Sequence, residues 1–430
     1  MQRRTFYAWL FVAVAALMCS ACGGGGKSNT ASTTSYIRLV NATQVDNLSL
    51  SASTTTQNSN VAAGQASGYA GIAAATYSVI VSAANNVLAT SATNSLSLAA
   101  DVYYTVVAYA RGGQIKLLAI TDNKTAPATG FASLTIANAD SDAGTLDVYV
   151  VAPGTALSGL SPTFSNVTPT GISLTNSITA GTYDIIATAY NKPTDVRLTM
   201  SSVQLTSTEI ATLALTATSG GSLVDGALVV QQGGVQVQPA NKARVRVVAA
   251  FPAVGSVNAT VATTVGGTAL GSITAPSVGT YSLVPANSTT YTINVDGVAV
   301  GSLPATTFAS GGDYTVLVYG ASSSAPQVSV LPDNNQLPTS GAKIRLMNAA
   351  VSSGGLALSD NFVPLFSELG YGTASDYLGV TAGSSLLQLT SPVSTFTPYS
   401  TTINILTNGV YSLFVLGATD NALEVLSKDK

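Results

Sequence analysis

Along most of the chain, apolar and polar residues alternate in short runs, and Gly, Asn, Asp and Pro separate the runs. Arg244-Val-Arg-Val-Val sets charged against apolar positions with a period of two, the pattern of a strand with one buried face. Tyr103-Tyr-Thr-Val-Val-Ala-Tyr, Tyr183-Asp-Ile-Ile-Ala, Tyr291-Thr-Ile-Asn-Val, Tyr314-Thr-Val-Leu-Val-Tyr and Tyr411-Ser-Leu-Phe-Val-Leu are rich in β-branched and aromatic residues, which fit a pleated surface. Strand parity puts Tyr103 and Tyr109 on one face and Tyr104 on the other. Many short strands punctuated by turn residues predict an all-β sandwich or barrel. No long amphipathic helix is predicted; Phe362 to Leu369 is read as one or two helical turns at most.

The strand pattern restarts four times. The starts are Tyr36-Ile-Arg-Leu-Val-Asn-Ala-Thr, Phe131-Ala-Ser-Leu-Thr-Ile-Ala-Asn-Ala, Ala243-Arg-Val-Arg-Val-Val-Ala-Ala and Lys343-Ile-Arg-Leu-Met-Asn-Ala-Ala. Asn41, Asn138, Ala249 and Asn348 align at steps of 97, 111 and 99 residues. A period near 100 is the size of a small globular domain, not of a solenoid repeat. Gly64-Gln-Ala-Ser-Gly-Tyr69 recurs as Gly372-Thr-Ala-Ser-Asp-Tyr377, and Tyr281 occupies the same place in the third copy. Asp122-Asn123-x-x-x-Pro127 and Asp333-Asn334-x-x-x-Pro338 close the first and third copies; Asp and Asn are read as bending the chain and Pro as stiffening the junction. These signals predict β-sandwich repeats at 36–124, 130–232, 242–334 and 342–430. The junction Gln231-Gln-Gly-Gly-Val-Gln-Val-Gln-Pro239 is read as more flexible. Short Pro-bearing junctions favour a semi-rigid rod on the order of 130 Å long, if compact domains of this size stack end to end.

The N-terminus is read as a targeting segment. Arg3-Arg4 precede an apolar run of 13 residues from Phe6 to Met18. That run is short for a bilayer span of about 20 residues and suits a signal h-region. Ser20-Ala21-Cys22 followed by Gly23 to Gly26 is similar to the end of a bacterial lipobox, with Cys19 standing where Leu is usual. The resemblance implies removal of residues 1–21, lipid on Cys22 and a flexible tether at 22–35; Gly23 after the Cys resembles the sorting pattern of outer-membrane lipoproteins. An ordinary secretory signal without lipid is the alternative. After cleavage the net charge is 14 − 19 = −5, and Trp9, the sole Trp, is gone. With both cysteines in the leader region, the mature fold has no disulfide, and its stability comes from packed cores.

These elements together resemble a bacterial family known as domain of unknown function 4397. The resemblance rests on the Arg-x-x-Asn-Ala opening strand and the acidic turn Asn138-Ala-Asp-Ser-Asp-Ala-Gly-Thr-Leu-Asp147-Val-Tyr-Val150. It rests also on the Gly64 to Tyr69 turn and the strand entry Ala180-Gly-Thr-Tyr183. It implies tandem immunoglobulin-like β-sandwiches in an exported, anchored protein, in four degenerate copies. It brings no catalytic residues. The third copy lacks the Asp-Val-Tyr-Val strand, and the fourth lacks Tyr after Ala382-Gly383.

Composition limits the chemistry. Charged residues make up 8% of the chain, and there is no His. Ser-His-Asp and Cys-His nucleophile systems and ordinary zinc sites are therefore excluded from the mature chain. No basic patch is present to neutralise phosphates, so nucleic acid is not an expected partner. Glu209, Glu368 and Glu424 are far apart. Asp140, Asp142 and Asp147 form the one candidate ligand cluster: hard cations such as Ca²⁺ take carboxylate and carbonyl oxygens, although the closing Glu of an EF-hand is missing. The alternative is an acidic turn leading into a strand. Gly112-Gly113, Gly220-Gly221 and Gly311-Gly312 sit in no nucleotide-binding context and read as turns. No cofactor is expected. The chain is expected to be a non-enzymatic, membrane-anchored lipoprotein of the cell envelope that acts as a structural, adhesive or protein-interaction module, with the membrane through lipid on Cys22 and an envelope protein or glycan as expected partners. The alternative is a glycan- or small-ligand-binding lipoprotein serving transport or degradation.

Overall fold

The computed structural model describes residues 33–83, 86–90, 95–122, 124–252 and 258–430. The signal segment, Cys22, most of the tether and Asn123 lie outside the described residues. The described chain is all-β, and its strands form four two-sheet sandwiches. The expectation of tandem β-sandwiches is met.

Each sandwich is assembled in the same way. In the first, the opening strand Thr34–Asn41 lies in the middle of a sheet, between Tyr103–Arg111 and Ala70–Ala73. It runs parallel to Tyr103–Arg111, with Arg38 opposite Thr105, and Gln114–Thr121 completes that side. The second sheet orders Thr55–Val61, Leu48–Ala52, Val79–Ala83 and Asn86–Thr90. The parallel pairing of the opening strand recurs in the other three domains. Thr135 lies opposite Thr212, Arg246 opposite Thr315 and Arg345 opposite Ser412. These four register pairs fix which residues are equivalent between copies.

Parity along the opening strand sorts its side chains between two cores. Ile37 and Leu39 fill the first domain's own core with Leu48, Leu50, Val81 and Val106. Leu134 and Ile136, Val245 and Val247, and Ile344 and Leu346 do the same in the other three. The intervening residues are also buried, with Arg38, Arg246 and Arg345 each 2% exposed. The opening strand is therefore covered on both faces and not on one, because the outer face of its sheet packs against a neighbouring domain.

Tyrosine parity holds. Tyr104 is a core residue whose hydroxyl accepts the Ala99 amide at 3.0 Å, and Tyr314 and Tyr411 repeat that bond with Ala309 and Leu406. Tyr103 and Tyr109 lie on the opposite face: Tyr103 stacks on Tyr36 at 4.4 Å, and Tyr109 donates to the Ala139 carbonyl of the second domain. The recurring Asn also has a plain structural task. Asn41, Asn138 and Asn348 each tie the end of the opening strand to two loop carbonyls, Val45 and Val61, Gly144 and Val167, and Gly354 and Leu369.

Two sequence expectations fail here. Val363–Leu369 is an edge strand paired with Leu356–Asp360, not helical turns, because Leu365, Phe366 and Leu369 pack on the fourth core. Val235–Gln238, read as part of a flexible junction, is the fifth, edge strand of one sheet of the second domain and pairs with Val224–Val230.

Candidate functional site: the junctions between domains

The domains associate in two pairs through the outer faces of their parallel-strand sheets. Between the third and fourth domains, Val248, Ala250, Leu317 and Tyr319 pack against Met347, Ala349, Phe414 and Leu416. Full burial of a Phe or Met side chain contributes about 1.5–3 kcal/mol, so this seam is a small second core. Between the first and second, Val40, Val107 and Ile120 pack against Val229. Gly372 must lack a side chain in the seam between the third and fourth domains, since a Cβ there would fall 2.4 Å from the Tyr319 hydroxyl.

Buried arginines sit beside each apolar seam. Arg246 of the third domain forms a bidentate pair with Asp429 of the fourth, at 2.6 and 3.1 Å. Arg345 of the fourth returns the contact to Asp333 of the third at 2.5 Å. The two interactions are reciprocal, as in a two-fold interface between copies of one fold. Each guanidinium also donates Nε–H to the hydroxyl across the parallel ladder, Thr315 or Ser412, and lies over an aromatic ring, Tyr281 or Tyr377, at 4.7 Å. Burial alone would raise the Asp333 carboxyl. Arg345 and Arg246, with donors from Thr315 and Tyr281, outweigh it and hold the group below the usual carboxylate range.

The first pair is asymmetric. Arg38 repeats the constellation, with Thr105, the Tyr69 ring and Asp122, and reaches the Val230 and Gly233 carbonyls of the second domain. The second domain carries Thr135 where the others have Arg. Lys124, from the connecting segment, fills the vacancy: its ammonium bonds the hydroxyls of Thr135 and Thr175, and its backbone is clasped by the Gln231 amide at 2.8 and 3.1 Å. Asp122 and Asp333, read from sequence as chain-bending residues, are buried acceptors for these networks.

The acidic turn lies where the two pairs meet. Asp142 accepts a bidentate bond from Arg111 of the first domain at 2.8 and 2.7 Å, and the Leu337 amide bonds the same carboxylate at 2.8 Å. The Lys430 ammonium bonds the carbonyls of Asp142 and Gly221. Asp140 lies beside it, fully buried, with one oxygen accepting the Asp142 amide and the other without a hydrogen-bond partner among the described residues. Burial first, then the Asp142 charge, pushes the Asp140 carboxyl up, to about 7. Asp147 faces elsewhere and accepts from Ser165, Asn166 and Asn191, all at 2.9 Å. The structure therefore brings Asp140 and Asp142 together but not Asp147. Among the described residues no group of three or more His, Cys, Asp or Glu is placed to hold a metal ion.

The Gly pairs differ in purpose. Gly112-Gly113 makes a hairpin turn, both residues at positive φ. Gly220-Gly221 and Gly311 are places of close approach. A Cβ on Gly221 would fall 2.4 Å from the Gln336 amide, and one on Gly220 2.6 Å from the Gly311 carbonyl. Sequence reading missed this role, and missed Gln336 and Lys430 altogether, since nothing local marks a residue whose partners are hundreds of positions away. The contacts of Lys430 and Leu337 with the second domain also replace the expected straight rod: the second and fourth domains touch.

Two-sheet sandwiches in tandem, joined by buried ion pairs, define a multidomain all-β protein with its charges placed at domain boundaries. The chain belongs to the family described as Domain of unknown function (DUF4397), whose pattern matches residues 35–149 and 243–359, more than half of its length. Both matched stretches run from the opening strand of one pair into the second strand of the partner domain. No curated protein matches. Among solved structures, a candidate cell adhesion protein from Bacteroides uniformis ATCC 8492 is similar at 14% identity and TM-score 0.22, covering 48% of this chain and 98% of that one. A candidate cell adhesion protein from Bacteroides ovatus ATCC 8483 aligns at 10% identity and TM-score 0.14, over 71% and 97% of the two chains. The TIE protein of Bacillus anthracis aligns at 10% and 0.15, over 91% and 69%. No helix of the described residues is long and apolar enough to cross a membrane, which says nothing of strands.

Proposed function

We propose that the chain is an exported, lipid-anchored, non-catalytic module of the cell envelope that acts structurally or adhesively. The observation that carries this reading is the use made of the buried charges: Arg38, Arg111, Arg246, Arg345 and Lys430 bind domain to domain. Charges committed in this way hold an assembly together and are not free for turnover. The lipobox-like Ser20-Ala21-Cys22 supports an anchor on Cys22, and Gly23 supports the outer membrane as its destination. Fractionation of cells tests the anchor: wild-type protein sediments with membranes, Cys22→Ser protein does not, and retention of the variant refutes lipid attachment. Turnover of any ester, peptide or glycoside by the purified mature chain would overturn the non-catalytic reading.

A second reading, binding of a glycan or another small neutral ligand, is favoured by one feature. A groove of about 560 Å³ in the first domain is lined by Gln57, Asn58, Asn60, Gln65, Ser67 and Tyr69. Its counterpart in the second domain, about 330 Å³, is lined by Ser165, Asn166, Ser173 and Asn176 among others. Uncharged amides and hydroxyls match sugar hydroxyls. A glycan array probed with the mature chain tests it, with loss of any hit in Asn58→Ala as the expected control.

A further inference from the structure

The two pairs are joined to each other by a different kind of contact from the one within them. Within pairs the seams are apolar. Between pairs, the Gly220 amide donates to the Gly311 carbonyl at 3.0 Å and the Asn335 amide to the Gly220 carbonyl at 3.0 Å. The Gln336 side chain donates to the Thr218 carbonyl at 2.8 Å, and Leu337 and Lys430 reach Asp142 and Gly221. None of the apolar clusters found among the described residues links one pair to the other. Such a contact can exchange its hydrogen bonds for water and exposes little apolar surface when it parts. One chain segment, 239–241, between the strand Val235–Gln238 and the strand Lys242–Ala250, links the pairs covalently.

Lys430 stands apart in this contact. Its stem ends the fourth domain, yet its ammonium is buried in the second, on two carbonyls and facing Asp140, Asp142, Asp313 and Arg197. Asp140 offers a fully buried carboxylate oxygen with no hydrogen-bond partner among the described residues. A buried cation and an under-bonded buried carboxylate tolerate one another only while both are in place; removal of either leaves the other uncompensated.

We propose that Lys430 is the bolt of a conformational latch that holds the two domain pairs closed, and that its withdrawal lets them swing apart about residues 239–241 with each pair intact. The closed form is compact at the junction. The open form gives an anchored chain a longer reach without unfolding any sandwich.

Interdomain distance measurement tests this. The mature-length chain with Cys22→Ser has no thiol, so spin labels at Lys192→Cys and Asp420→Cys, exposed positions in the second and fourth domains, report the pair-to-pair distance. The parent gives one narrow distribution. Lys430→Met shifts the distribution to longer and broader distances, while Lys428→Met, at the exposed end of the strand that precedes Lys430, leaves it unchanged. Gln336→Ala produces the same shift to a smaller extent. An unshifted, narrow distribution in a folded Lys430→Met chain overturns the latch. If that variant does not fold, an unshifted distribution in Gln336→Ala overturns it instead.

Discussion

Arg246 and Asp429 are 183 residues apart in the chain and form a bidentate ion pair with both side chains nearly inaccessible to water. The pair joins the opening strand of the third domain to the tail of the fourth, and Arg345 with Asp333 answers it from the other side.

Breaking one arm of this reciprocal arrangement should be costly and non-additive. Arg246→Met leaves Asp429 and Asp333 short of a cation in a dry seam, a loss of about 3–5 kcal/mol. Arg246→Met with Asp429→Asn should cost less than the sum of the two single changes, since the second removes the charge that the first strands. Urea unfolding of the four chains in the cycle measures the coupling.

Stability should respond to pH in opposite directions at two acids, Asp333, which is buried, and Asp225, which is half-buried. Asp333 is held below the ordinary carboxylate range, so its contribution is full above that range and is lost as pH falls through its lowered value. Asp225 is pushed up to about 6 by burial, the Ala240 amide only partly offsetting this. Its ionisation therefore opposes folding, and the penalty grows as pH rises from about 4 through its folded value. Asp225→Asn should raise the melting temperature more at pH 7.5 than at pH 4.5. Equal shifts at the two pH values would show that Asp225 does not titrate in this way.

Calcium should have little effect through the acidic turn. Asp142 is taken by Arg111 and Leu337, and Asp147 by three donors of its own. Titration calorimetry with millimolar Ca²⁺ should register no binding heat attributable to these residues, and Asp147→Asn should leave the calorimetric trace unchanged.

Native protein should resist trypsin. Among the basic residues of the described chain, Lys192 and Lys428 alone are exposed, the rest being buried or half-buried. Pro193 follows Lys192 and blocks tryptic cleavage there, so brief digestion followed by intact-mass measurement should find Lys428 as the first cut among the described residues, and early cuts after Arg38, Arg246 or Arg345 would contradict the burial described above.

What could be read from sequence divides along the distance over which each residue acts. The sandwiches were legible because parity and turn chemistry are local: Ile37 and Leu39 alternate with Arg38 and Val40, and Tyr104 opposes Tyr103. The destination of the second face was not. Arg246 and Arg345 look like the solvent side of a half-buried strand until another domain covers them. Asp122 and Asp333 pass for turn residues because their partners lie on other strands. Gly221 looks like any glycine in a loop, and only the proximity of Gln336 explains why a side chain is excluded there. The absence of Arg from the second copy was visible, but its replacement by Lys124 from a connecting segment follows no local rule.

The parallel pairing of each opening strand with a strand near the end of its domain sets the order in which the protein can be made. Arg38 waits 67 residues for Thr105, and Arg345 as long for Ser412. A chain emerging N-terminus first during synthesis therefore cannot close any sandwich until nearly the whole of that domain has been made. Contacts so remote slow folding and leave apolar strands open in the interval. Each of the four domains is thus released into its fold as a batch, and the seams between partners can form only after the second member of each pair has arrived.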